Sequence, residues 1–197
     1  MKLLASLITT ILHPLVLALT AVYLIVFQET GDSRTAFLWT CISIIFAGII
    51  AGFVLFGIKK GFFTNIDVSV RKQRIILYPF AAVVMAFFSF LIYSLKGPVS
   101  LFVGIIFFIL ALLVLDVINK KIKASIHVAT VTALAVGLIE MFGVLFMPCL
   151  ITIPLVAWAR VLEKRHTVKE TIAGGIAGST LSIIGIFVVE YIIGTLK

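Results

Sequence analysis

Apolar residues fill this chain in long unbroken runs, and polar residues fall between the runs in short clusters. Most runs are about 17 to 25 residues long, the length at which an α-helix crosses the hydrocarbon core of a bilayer. They lack the period-two alternation of a membrane β-strand. The pattern predicts spans at about 3–27, with a kink at His13-Pro14, and then at 36–58, 75–95, 99–118, 126–146, 149–160 and 171–195. The sixth is short, follows a break at Met147-Pro148 and contains Pro154, so the count is six or seven. The expectation is an all-α integral membrane protein, a bundle of six to seven transmembrane helices, with residues 1–197 forming a single transmembrane domain. The first run is too long for the core of a signal peptide and is read as a retained helix.

Composition agrees with the pattern. The chain is 62% hydrophobic and only 12% charged, with a mean hydropathy of +1.29, well beyond the roughly half-apolar content of a soluble domain. Its net charge of +8 is concentrated in basic loops at "KKGFFTNIDVSVRKQR", "NKKIKAS" and "VLEKRHTVKE". If every run crosses, these three loops share one face with the N-terminus. Of the sixteen Lys and Arg, only Arg34, Lys96 and Lys197 fall on the other. In a membrane protein such loops record orientation, lipid headgroups or phosphate binding. Membrane lipids are therefore the expected partners, and nucleic acid is not. By charge count the basic face is cytoplasmic. Cys41 and Cys149 lie in apolar surroundings and read as packing residues.

The chemistry-bearing residues gather at that basic face. His13 reads as a kink residue satisfied by a neighbouring helix. His127 follows one basic loop and opens the fifth span, and His166 follows another and opens the seventh. Glu170 lies four residues after His166, so the two are neighbours on one helix face. The carboxylate can accept from one imidazole nitrogen and leave the other as nucleophile or base. Arg160 offers a forked donor for phosphate oxygens, and the start of the last helix adds backbone N–H groups that favour an anion.

Arg160-x5-His166-x3-Glu170 resembles the third signature of the type 2 phosphatidic acid phosphatases, Ser-Arg-x5-His-x3-Asp. Their second signature, Pro-Ser-Gly-His, corresponds to "ASIH", Ala124 to His127. Their first, Lys-x6-Arg-Pro, falls on "DVSVRKQRI", with Arg74 at its arginine. The chain departs from the pattern. Ala159 stands for the serine, Glu170 for the aspartate, Ala124 and Ile126 for the proline and glycine, Asp67 for the lysine and Ile75 for the proline. Two spans separate the first and second signatures. The resemblance covers some thirty residues and the general architecture.

It implies a metal-independent membrane phosphatase without a cofactor, acting on a lipid or isoprenoid phosphate. His166 would attack phosphorus to give a phosphohistidine, Glu170 would orient it, and His127 would protonate the leaving alkoxide and then activate water. Arg160, Arg74, Ser125 and a cation from Arg71 or Lys72 would hold the phosphoryl oxygens. The resemblance implies the outer face for the site, against the charge count. Size and the lack of appended domains fit a prokaryotic cell membrane. The sequence leaves the substrate and the oligomeric state open.

Two other readings stay open: a small transporter centred on Glu140 and the proline-broken helix, and a catalytically decayed relative that binds anionic lipid. Asp116 is expected to pair with Lys120 one turn on. Gly174 and Gly178 form a GxxxG that predicts close helix packing.

Overall fold

A computed structural model describes residues 1–68 and 70–196; the side chains of Arg71, Ile193, Thr195 and Leu196 lie outside the described set. The described residues form α-helices and one 3-10 helix, with no strand among them. The helices are α1 (Lys2–Ile11), α2 (Pro14–Thr30), α3 (Ser33–Lys59), α4 (Arg71–Ser94), α5 (Val99–Asn119), α6 (Ile126–Phe142), α7 (Thr152–Leu162) and α8 (Val168–Leu196). Among the described residues, six helical stretches are long and apolar enough to cross a membrane. These are Lys2–Thr30, Ser33–Lys59, Lys72–Ser94, Val99–Asn119, Val144–Leu162 and Val168–Ile192, and Ile126–Phe142 is a shorter apolar helix. Large apolar side chains such as Ile45, Phe87, Phe90 and Phe187 point outward, which is favourable only where the surroundings are hydrocarbon. The chain is a multi-pass membrane protein.

The helices form two compact units, Met1–Ala21 with Ile122–Lys197, and Val22–Lys121. The chain passes between them within α2 and again at Lys121-Ile122.

In the Val22–Lys121 unit, α4 packs against α3 and α5. Its core holds Trp39, Val84, Phe88, Ile92 and Leu101, and Phe46 stacks on Phe88 with centroids 4.6 Å apart. Two termini show how the helices start. Asp32 caps α3 by accepting from the N–H groups of Arg34 and Thr35 at 3.1 and 3.0 Å, a standard role for aspartate at this position. The residue before α5 is Pro98, which has no side-chain acceptor. Glu29, at the end of α2, takes over: its oxygens accept from the N–H groups of Val99 and Ser100 at 2.9 and 2.7 Å, and from the Ser100 hydroxyl.

In the other unit, α1 and α2 are separated at Leu12-His13. Pro14 has no N–H to donate and opens α2, while His13 Nδ1 accepts from the Leu15 N–H at 3.3 Å. His13 is thus the kink residue. α6 stops four residues earlier than the sequence suggests, because Gly143 takes a φ of +83°, a conformation glycine adopts without a Cβ penalty. Pro148 does not mark the break; it sits inside the 3-10 helix Val144–Ile151, which runs directly into α7.

α6 and α8 run parallel and touch closely. A Cβ at Gly174 would overlap the Ser125 carbonyl oxygen, and one at Gly178 the Ala129 carbonyl oxygen. One turn further, the Ser182 hydroxyl donates to Ala133 O at 3.0 Å. The GxxxG therefore does pack helix on helix, as the motif predicts. Leu17, Val128, Val131 and Val156 fill the core of this unit.

Candidate functional site

Because α6 and α8 are parallel and α7 returns between them, the start of α6, the end of α7 and the start of α8 meet at one end of their unit. Each terminus is shaped by a specific local motif.

α7 ends in a Schellman turn. Lys164 N–H donates to Val161 O at 2.9 Å and Arg165 N–H to Arg160 O at 3.1 Å, with Lys164 at φ +56° where glycine is usual. His166 N–H also reaches Arg160 O, at 3.3 Å. The turn therefore brings the backbones of Arg160 and His166 together.

α8 starts with a capping box, Thr167-x-x-Glu170. Thr167 N–H donates to Glu170 Oε2 at 3.0 Å, and Glu170 N–H to Thr167 Oγ1 at 3.4 Å. The same Glu170 oxygen lies 3.1 Å from His166 Nδ1, and the carbonyl oxygen of Lys123 lies 3.1 Å from that nitrogen too. Both neighbours only accept, so Nδ1 carries the ring proton. The lone pair of the neutral imidazole is then on Nε2.

α6 starts at Ser125, whose Oγ accepts from Val128 N–H at 3.5 Å. Ser125 N–H donates to Glu170 O at 3.0 Å, tying this start to that of α8. Ser125 is fully buried against α8. His127 follows in the first turn, 6% exposed, with its ring edge-on to His13 at a centroid distance of 5.3 Å. Lys123 Nζ donates to Arg165 O at 2.7 Å and fastens the two loops.

Arg160 is 3% exposed. Its Nη1 donates to Glu163 Oε2 at 3.2 Å, and Glu163 Oε1 accepts from Thr9 Oγ1 on α1 at 3.1 Å. Buried charge needs such a partner.

One unit thus gathers Ser125, His127, Arg160, His166 and Glu170. The remaining expected residues belong to the Val22–Lys121 unit. There, Arg74 is buried and its Nε donates to Val68 O at 3.1 Å, closing the loop before α4. Lys72 is exposed, and the Arg71 side chain lies outside the described residues. Asp116 does not pair with Lys120: its Oδ1 is buried without a hydrogen-bond partner, and the carboxylate lies in electrostatic range of Tyr78. Glu140 is exposed in the last turn of α6. Cys41 and Cys149 are free and half-buried.

Sequence reasoning missed three participants. His13 was set aside as a kink, yet its ring packs edge-on against His127. Glu163 and Thr9 were not assigned, and only their distance in the fold reveals them. The Thr-x-x-Glu signal for the capping box was present in the sequence.

No family model matches the chain, and no curated protein or solved structure gives a significant match.

Proposed function

We propose that the chain is a membrane-embedded, metal-independent phosphatase of a lipid or isoprenoid phosphate in a prokaryotic cell membrane. The observation that carries this reading is the His166 arrangement: two acceptors on Nδ1 direct the lone pair to Nε2, the form a nucleophilic imidazole needs. The signature resemblance of Arg160, His166 and Glu170 supports it.

His166 Nε2 attacks phosphorus and the P–O bond to the alkoxide breaks. Glu170 stabilises the positive imidazole as it forms. His127 gives the departing alkoxide a proton, then takes one from the water that hydrolyses the phosphohistidine. Arg160 and the positive dipole ends of α6 and α8 attract the phosphoryl oxygens. Placement at a helix-terminal end of a membrane unit suits an amphiphile whose head must leave the hydrocarbon.

A second reading, binding of anionic lipid without turnover, draws on the Arg160–Glu163 pair, which already engages the guanidinium. Phosphate release by purified protein in mixed micelles separates the two. The assay offers a panel of lipid and isoprenoid phosphates without added metal, and compares wild type with His166→Ala. Release by wild type that disappears in a folded His166→Ala supports the phosphatase. Binding without release by folded wild type supports the second reading.

A further inference from the structure

We propose that Glu163 is a built-in counter-ion of the phosphoryl site, a positioning residue that orients Arg160 while the site is empty and competes with phosphate for its guanidinium. The inference rests on the reading of Arg160 as a phosphate ligand.

Three observations support it. First, Arg160 is 3% exposed, so its charge requires compensation whether or not an anion is bound. Glu163 supplies that compensation from the same helix face, three residues on. Second, the carboxylate is itself held. Thr9 Oγ1 lies 3.1 Å from Glu163 Oε1 and equally 3.1 Å from Ser6 O, so its single proton is shared between them. Third, the pair is loose. Its 3.2 Å separation exceeds the roughly 2.7–2.9 Å of tight charged hydrogen bonds, and the Glu163 side chain is 21% exposed, so water can solvate the carboxylate when it yields Arg160.

The position of the pair adds a consequence. Glu163 caps α7, and the Arg160 carbonyl oxygen holds the N–H groups of Arg165 and His166. The counter-ion therefore sits within the turn that presents the nucleophile. A phosphate dianion entering this end must compete with Glu163 for the Arg160 guanidinium. Affinity for phosphate is lowered, and the product leaves more readily. In an enzyme that makes phosphate at every turnover, such a counter-charge protects against product inhibition.

The test uses the full chain in detergent and inorganic phosphate as the probe, with binding read by thermal shift and product inhibition read from turnover. Glu163→Gln keeps the shape and the Thr9 contact but removes the charge. It is expected to bind phosphate about tenfold tighter than wild type, with KM and kcat both lowered. Glu163→Asp restores the charge and is expected to return phosphate affinity toward wild type. Thr9→Val, which frees the carboxylate without removing it, is expected to shift affinity in the same direction as Glu163→Gln by a smaller factor; it decides the question if Glu163→Gln fails to fold.

A purely structural Glu163 would change melting temperature and leave phosphate affinity unmoved, and that result overturns the proposal. If wild type releases no phosphate from any substrate while Glu163→Gln still tightens phosphate binding, the phosphatase reading falls and the counter-ion stands. If the enzyme is active and phosphate affinity is unchanged, the counter-ion alone falls. If no variant binds phosphate, the counter-ion is overturned as well.

Discussion

His166 Nδ1 and Glu170 Oε2 are 3.1 Å apart, and that same carboxylate oxygen accepts the Thr167 N–H at 3.0 Å. One oxygen atom therefore both fixes an imidazole and starts a helix. The two roles separate by substitution. Glu170→Gln retains an acceptor for the Thr167 N–H and loses only the charge. It is expected to cost less than about 0.5 kcal/mol in stability and to lower phosphate release about a hundredfold. Glu170→Ala loses both roles and should cost a further ~1 kcal/mol. Thermal unfolding in detergent and phosphate release, measured on both variants, check this. Equal stability loss in the two would remove the capping role.

The α6–α8 contact sets the register between the two histidine-bearing helix starts. A Cβ at Gly178 meets the Ala129 backbone, which cannot move aside as a side chain can. Gly178→Ala is expected to destabilise by about 1–3 kcal/mol. Gly48 and Gly52 form the same spacing on α3, yet a Cβ at either meets nothing within 4 Å. Gly48→Ala should be neutral or stabilise by about 0.5–1 kcal/mol. Unfolding of the two variants side by side tests whether contact, and not the motif alone, carries the cost.

Lys164 holds a left-handed conformation, φ +56°, at the position in a Schellman turn where a Cβ is unfavourable. Lys164→Gly is expected to stabilise the protein by about 1 kcal/mol. Lys164→Val, β-branched, should destabilise it. A melt in which the glycine variant unfolds no later than wild type would show that the surrounding loop already relieves the strain.

These residues also mark what the sequence could reveal. The helices were legible because span length and apolar continuity follow directly from bilayer thickness. The juxtaposition of Arg160, His166 and Glu170 was legible because one turn and one helix face bring them together within eleven positions. The break before the 3-10 helix was misplaced, because Pro148 is the louder signal and Gly143, with its positive φ, is the real one. The end of α7 carried no glycine to announce it. Nothing around Glu29 in the sequence announced its role, since its α5 partners lie 70 and 71 residues away. His13 and Thr9 met their partners only through the packing of helices distant in sequence, a term that local periodicity does not contain.

His127 sits in the first turn of α6 and is almost wholly buried, with its ring edge on His13. A general acid at this position matters in proportion to how badly the leaving group needs a proton. An alkoxide from a lipid alcohol is a poor leaving group and depends on it; a nitrophenolate is a good one and does not. His127→Gln should therefore lose about 10²–10⁴-fold on an alkyl phosphate and far less in the first step on nitrophenyl phosphate. The second step still needs a base to activate water, so the variant should accumulate phosphohistidine on the aryl substrate and show a burst of nitrophenolate followed by slow turnover. Rapid-mixing kinetics with both substrates provide the measurement. Equal losses on the two substrates, without a burst, would remove His127 from the proton-transfer role and leave it as a packing partner of His13.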